Sequence, residues 1–264
     1  MAEIERCAEY DVSVVERWMR GLERYTGGTT SIAGKSILEV GPGSDLGVGL
    51  CLLAKGAGRY VAVDKYGLAM HAPAAFYDHL LAQLQRREPL CSVGELRAAL
   101  EATSGEVPPT APLSYLVRSD FDIAAALPEQ SVDIVFSNAA FEHIEDVEST
   151  IGDISRAVRP GGVLIAEVDL RTHSRWIREK DPNNIYRYSD RLYNLFRYAG
   201  RPNRVRPVSY RRYLTARGWS AIEIAPASTL SPPLLPRNAF LADRFRDEEN
   251  RMDFLTVTLC ATKS

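Results

Sequence analysis

The stretch "ILEVGPGSDLG", residues 37–47, decides how this chain folds. An apolar run meets a carboxylate at Glu39 and then breaks at Gly41, Pro42 and Gly43. A buried strand ending in so tight a turn brings backbone against whatever lies above the sheet, and a side chain at 41 or 43 would block that approach. Leu46, Leu50 and Leu53 then mark a helix that starts near Asp45 and ends near Gly56 and Gly58. "RYVAVD" (59–64) reads as a second strand that stops at Asp64. Strand, turn, helix, strand is a βαβ unit, and its crossover makes the strands parallel. Asp64 thereby stands beside the first turn, where a carboxylate can accept from both hydroxyls of a ribose.

The spacing of the turn narrows the ligand. A dinucleotide turn follows GxGxxG and offers a helix N-terminus to a pyrophosphate. Here Ser44, Asp45 and Leu46 follow Gly43, and Gly47 comes one place late. Glu39 and Asp45 add negative charge on either side of the turn, which repels a pyrophosphate and suits a cationic, amine-bearing ligand.

Outward from this point the chain alternates. Residues 11–25 form a helix, with Val14, Val15, Trp18, Met19 and Leu22 at helical spacing before the break at Gly27 and Gly28. Helices at about 73–86 and 93–102 fill the connection 65–112, which one helix would normally serve, and "GEVPPTAPL" closes it as a loop. Strands follow at about 114–118 and at "SVDIVFSN" (131–138). A helix over 145–158 puts Val147, Ile151, Ile154 and Val158 on one face, "RPGG" (159–162) stops it, and "GVLIAEVD" (162–169) is a fifth strand. After Asp169 the alternation lapses, then returns with a helix near 208–217 and strands at about 219–225 and 254–261. This order predicts an α/β fold with a doubly wound sheet and helices on both faces. No linker splits it, so 1–264 reads as one domain, with an N-terminal helical segment (1–34), a helical insertion (65–112) and an Arg/Tyr-rich lid (170–210).

Bulk properties exclude several classes. Cys7, Cys51, Cys91 and Cys260 lie far apart, without a CxxC and without histidines at ligand spacing, so neither a disulfide framework nor a metal site is expected. The first 25 residues carry charges throughout, unlike a signal peptide. No apolar stretch approaches the ~20 residues of a membrane span. The expectation is a cytoplasmic protein.

Taken together, "ILEVGPGS", "VAVD" and "SVDIVFSNAAFEHIEDVESTIGDISRAVRPGGVLIAEVD" resemble motif I, the acidic strand end after it, and motifs IV to VI of the class I S-adenosylmethionine-dependent methyltransferases. The resemblance covers roughly 35–64 and 114–170. It implies a seven-stranded, mostly parallel Rossmann-like sheet whose last strand runs antiparallel, and S-adenosylmethionine as cofactor. By position, the backbone at Gly41 and Gly43 would line the amino-acid half of the cofactor, with the Glu39 carboxylate near the ligand; Asp64 would hold the ribose and Lys65 would border the adenine. Asp120 and Phe121 would flank the adenine, and Ser137 and Asn138 would face the methionine part. Asp45 stands where the family has its third glycine. Asp120 has a competing reading as the cap of a helix beginning in "FDIAAAL".

Methyl transfer from a sulfonium is an in-line displacement, so the protein mainly aligns donor and acceptor. A base is needed only where the acceptor must lose a proton. Of the four histidines, His79 reads as structural and His71 lies in the insertion. His143, just past the fourth strand, and His173, four residues beyond Asp169, are the candidate bases, with Asp169 as orienter of His173. Residues 171–217 hold twelve arginines and Lys180 against three acids, interleaved with tyrosines and Trp176. Such a set suits an anionic or planar acceptor, or else a solvated charged face. The Asp/Asn-Pro-Pro-aromatic tetrapeptide of base-amino methyltransferases is replaced by "SNAAF", which favours a small-molecule acceptor over nucleic acid. Two other readings remain: a nicotinamide oxidoreductase on a similar sheet, disfavoured by the turn and by the lack of a Tyr-x-x-x-Lys pair, and a cofactor-binding protein without catalysis.

Overall fold

Local sequence explains each element of the computed structural model, which describes residues 2–103, 108, 110–196, 198 and 200–264. Residues 105–107 and 109 of the loop "GEVPPTAPL" fall outside them. The elements are α1 (Ala2–Thr26), β1 (Ser36–Val40), α2 (Gly47–Ala54), β2 (Arg59–Asp64), α3 (Ala74–Arg87), α4 (Val93–Ala102), β3 (Leu113–Val117), α5 (Ile123–Ala126), β4 (Val132–Asn138), α6 (Val147–Ala157), β5 (Val158–Asp169), α7 (Asp190–Leu195), α8 (Pro207–Ala216), β6 (Trp219–Thr229) and β7 (Phe254–Lys263). One seven-stranded sheet has the order β3-β2-β1-β4-β5-β7-β6. β1 is buried at every position, as a central strand covered on both faces must be. It pairs in parallel with β2, from Ser36 opposite Arg59 to Val40 opposite Val63, and with β4, from Ile37 opposite Ile134. β2 pairs in parallel with β3. β6 and β7 run antiparallel: Ser220 Oγ donates to the Thr262 carbonyl and Ser228 Oγ to Thr256 Oγ1, eight residues on in one strand and six back in the other.

Contacts gather into two compact units, and β5 runs from one into the other. The first contains the residues up to Asn138 and Arg156–Ile165. In it α1 packs on α2 and α3, and Trp18 stacks flat on Phe136 of β4, ring centroids 4.6 Å apart. α2 is apolar almost throughout and is buried over Gly47–Leu52. Its glycines are demanded by packing: a Cβ on Gly49 would lie 2.4 Å from the Tyr60 ring, and one on Gly47 would lie 2.0 Å from Asp11 Oδ2. Arg59 ties the lower ends of three strands, donating to Ser36 Oγ and to the Ser131 carbonyl.

The second unit contains Ala139–Ser155 and Ala166–Thr262. Ile185, Tyr186, Leu241, Phe245 and Met252 form a core cluster there. The arginine-rich segment is mixed: Arg204 and Arg206 are buried, whereas Arg175, Arg191, Arg211, Arg212 and Arg217 are exposed. Arg206 is 1 % exposed and donates to the carbonyls of Asn250, Arg251 and Phe254, holding the loop before β7. Arg187 pairs with Asp181, and Arg204 pairs with Asp190 and lies over the Tyr193 ring. Arg201 donates to the Tyr193 carbonyl and to Asn194 Oδ1.

Three local expectations need correction. α1 starts at Ala2 rather than 11, because residues 3–10 are polar enough to hide a helix whose inward side includes only Ala8 there. β5 starts at Val158, so "RPGG" lies inside the strand and Gly161 absorbs the kink with φ +78°. The cap of α5 is Asp122, which accepts from the Ala125 N–H at 2.8 Å; Asp120 does not cap it.

Candidate functional site

In the first unit the carboxyl ends of β1, β2 and β4 collect polar groups around the glycine turn. Gly41 and Gly43 have φ of +75° and +81°, a conformation that glycine adopts without strain. The Gly41 N–H donates to the Val63 carbonyl at 2.9 Å, which fixes the turn against β2. Asp64 accepts from the N–H groups of Lys65, at 2.6 Å, and Tyr66, and from Gly43 across the strands. Burial pushes its carboxyl above the usual range, and these three donors pull it back. Ser137 is fully buried and its Oγ donates to the Val40 carbonyl at 2.9 Å, so the hydroxyl locks β4 to β1.

Around this turn stand four carboxyls. Glu39, 2 % exposed, accepts from Tyr60 Oη at 2.5 Å; burial pushes it up to about 8, with Asp45 and Asp64 adding repulsion. Asp45 accepts from the Gly47 N–H at 2.9 Å at the start of α2. The fourth, Asp11 of α1, is a residue that sequence reasoning missed. It is 5 % exposed, burial pushes it up to about 9 with Asp45 and Glu39 contributing, and its Oδ2 has no hydrogen-bond partner among the described residues. The signal was present: Ala8, Asp11, Val15, Trp18 and Leu22 follow the 3-4-3-4 spacing of a buried helix seam, with an acid in it. α1 also holds Asn138, whose Nδ2 donates to Tyr10 Oη at 2.9 Å and whose Oδ1 accepts from Arg17 at 3.4 Å.

Lys65 follows β2, and Asp120 and Phe121 follow β3. Lys65 Nζ lies 5.9 Å over the Tyr66 ring. Asp120 is exposed, paired with Arg118 and held below the usual carboxylate range by that guanidinium. Phe121 is half-buried and takes a left-handed φ of +55°.

The second unit holds the candidate catalytic residues. Asp169, at the end of β5, opposes burial with charge-assisted bonds: the Arg171 side chain and N–H and the Arg178 guanidinium keep it below the usual range. His173 Nε2 lies 3.9 Å from Asp169 Oδ2, beyond hydrogen-bond reach, so the orienting bond expected from sequence is not made. Burial, followed by the nearby His143, lowers the His173 imidazole below its ordinary value. The His143 and His173 rings meet edge to face, centroids 4.8 Å apart. Glu142 lies beside them, 2 % exposed and pushed up to about 8 by burial. A cavity of about 400 Å³ is lined by His173, Tyr188, Tyr193, Phe196, Tyr198 and Arg201 among others. His71 is exposed in the first unit and belongs to neither cluster.

Comparison with known proteins follows this geometry. A family model described as a methyltransferase domain matches residues 92–166. The malonyl-[acyl-carrier protein] O-methyltransferase 1 of Coxiella burnetii is 29% identical over 124 residues, which span 40% of this chain and 44% of that protein. A chain of the Haloferax volcanii complex containing the Trm112 methyltransferase activator superposes with a TM-score of 0.50 at 17% identity, over 99% of this chain and 96% of that one. Phosphoethanolamine N-methyltransferase 2 of Haemonchus contortus superposes with a TM-score of 0.50 at 15% identity, over 97% of this chain and 52% of that one. At such identities the two structures speak for the fold alone. Residues 92–166 are thus similar to a methyltransferase domain, and the fold is the Rossmann-like sheet of the class I S-adenosylmethionine-dependent methyltransferases; the chain spans less than half the length of the curated relative it matches.

The residues present fit the cofactor of that class. Asp11 leaves a buried acceptor without a donor, and three more carboxyls crowd the same turn. A ligand carrying an ammonium and a sulfonium supplies the missing positive charge, whereas a pyrophosphate would add to the repulsion. Gly43 has open space where a Cβ would stand, so the turn can be approached by a ligand.

Proposed function

We propose that the chain transfers a methyl group from S-adenosylmethionine to an oxygen or nitrogen of a small acceptor that is aromatic, anionic or both. The observation that carries this reading is the carboxyl cluster of Asp11, Glu39, Asp45 and Asp64 around the glycine turn, with one buried oxygen unpartnered. When bound, the cofactor supplies a methyl group already activated by positive charge on sulfur. The chain then has three tasks. Asp64 holds the ribose, the backbone at Gly41 and Gly43 bears on the amino-acid half, and Asp11 with Glu39 neutralises the ammonium. Asn138, gripped by Tyr10 and Arg17, keeps the end of β4 in place. Acceptor selection falls to the aromatic cavity of the second unit, where Tyr188, Tyr193, Phe196 and Tyr198 present ring faces and Arg201 a guanidinium edge. The pair His143 and His173 is where an acceptor proton is handled.

Calorimetry with S-adenosylhomocysteine and with NAD tests the cofactor. We expect one equivalent of S-adenosylhomocysteine to bind and NAD to give no heat. The reverse order of affinity would leave the oxidoreductase reading. Transfer of labelled methyl from S-adenosylmethionine across a panel of phenols, carboxylates and amines then tests catalysis, and tight binding without transfer to any of them favours a non-catalytic protein.

A further inference from the structure

We propose that Glu142, His143 and His173 form a binding site for a divalent transition-metal ion of the zinc or iron(II) type. Three observations carry it, all within the second unit. First, one ligand atom from each of the three side chains lies within 4.8 Å of the others. A tetrahedral ion with N and O ligands at about 2.1 Å sets them about 3.4 Å apart, so the widest pair needs to close by up to about 1.4 Å, a side-chain adjustment. Second, two of the three residues carry a buried polar atom with no partner among the described residues: Oε2 of Glu142, whose residue is 2 % exposed, and Nε2 of His173. Buried polar groups are otherwise almost always satisfied, and a cation satisfies both at once. Third, His143 already has the second contact of a metal-bound imidazole. Its Nδ1 lies 2.7 Å from the Gly200 carbonyl. A carbonyl oxygen can only accept, so Nδ1 carries the proton and Nε2 keeps its lone pair, the tautomer that a ligating histidine shows.

Two imidazoles and one carboxylate are the donor set of open zinc and non-haem iron sites, too soft for magnesium or calcium. Three protein ligands leave at least one position for water or an exogenous oxygen. His143 is exposed, and His173 also lines the 400 Å³ cavity, so both solvent and a cavity ligand reach the ion. Arg171 and Arg178 stand nearby but are engaged by Asp169, which cancels much of their repulsion. The trio escapes sequence inspection because Glu142 and His143 are thirty residues from His173, with no ligand spacing to betray them. Binding of the ion does not depend on the methyltransferase reading; only the suggestion that the open position takes the acceptor's oxygen rests on it.

The test uses the full chain stripped with a chelator and titrated with Co²⁺, whose d–d absorption reports a low-coordinate nitrogen and oxygen site. We expect a visible band that saturates at one equivalent and is displaced by Zn²⁺. Glu142→Gln, His143→Ala and His173→Ala should each weaken Co²⁺ at least tenfold while changing S-adenosylhomocysteine affinity less than threefold, the second measurement confirming that the variant is folded. Glu142→Gln keeps size and shape, so it decides the matter if a histidine variant unfolds. The proposal is overturned if no band develops at one equivalent, or if the folded variants bind Co²⁺ as the unaltered chain does. Metal binding without S-adenosylhomocysteine binding would sink the methyltransferase reading and leave this one standing; the opposite result would sink this one alone.

Discussion

Asp11 and Asp64 show how one residue type does two jobs around one glycine turn. Asp64 accepts three N–H groups and so ties the glycine turn to the end of β2; the proposed function gives its carboxylate a ribose as well. Asp64→Ala should weaken S-adenosylhomocysteine binding by about 1–3 kcal/mol, roughly five- to 150-fold in Kd. Asp64→Asn should lose nearly as much, because amide oxygen keeps the shape but not the charge. Unchanged affinity by calorimetry would remove the ribose from this position. Asp11 and Glu39 predict a pH effect whose sign follows from their raised values. In the fold they hold their protons up to about 9 and about 8, whereas the unfolded chain releases them near 4. Between pH 4 and 9 the unfolded state therefore binds fewer protons, so the ligand-free protein should lose stability as pH rises through this window and level off above it. Asp11→Asn should flatten that slope in a melting series from pH 5 to 9. A cationic ligand favours the charged carboxyls, so its binding at pH 7 should release protons, seen as a calorimetric enthalpy that changes with the ionisation heat of the buffer. Proton uptake on binding would contradict the assignment.

At the scale of elements, α1 and α2 meet so closely that Asp11 replaces the side chain Gly47 lacks. Gly47→Ala would place a methyl 2.0 Å from Asp11 Oδ2 and 2.9 Å from the Phe76 ring, and should destabilise the protein by about 1–3 kcal/mol in denaturant melts. Gly94→Ala in α4 meets nothing within 4 Å and should be neutral or stabilise by up to about 1 kcal/mol. Equal effects would mean that the α1–α2 contact is loose. This contact also marks where sequence reasoning reached its limit. β1, β2 and β4 were legible because each is an apolar run closed by Asp64, Asn138 or the glycine turn, a strong local signal. The first nine residues of α1 were not, since most of their side chains face solvent and carry charge. Gly47 looked like a misplaced third motif glycine, and only the arrival of Asp11 from a helix 36 residues earlier explains it. Within the arginine-rich segment, Arg204 and Arg206 were not legible as interior residues for a related reason. Charge density along a sequence cannot tell Arg206, which binds three backbone carbonyls in the interior, from an arginine that waits for a ligand. For the site, consecutive motifs revealed the glycine turn and Asp64, while Asp11 and Glu142 come from segments whose partners are set by tertiary packing alone.

At the scale of the whole molecule, the two compact units divide the proposed labour, and this gives a test that needs no acceptor. The carboxyl cluster and the glycine turn belong to the first unit, the Glu142–His143–His173 trio and the aromatic cavity to the second. A ligand that binds the folded state alone raises the free energy of opening wherever its contacts must break, and amide hydrogen exchange reads that increase segment by segment. S-adenosylhomocysteine at a hundred times its Kd can slow exchange by up to about a hundredfold, equivalent to about 2.7 kcal/mol. That protection should gather on the turn 41–47, on 64–66, on the end of β4 and on α1 around Asp11. Zn²⁺ should instead protect 140–144 and 172–174 and the Gly200 strand of chain that holds His143, and should leave 41–47 at its ligand-free rate. Local protection is the expected outcome because each ligand meets side chains from one unit, and opening of the other does not require its release. Protection by S-adenosylhomocysteine confined to the second unit would displace the cofactor from the turn, and equal protection of both units by either ligand would show that they open as a single cooperative body.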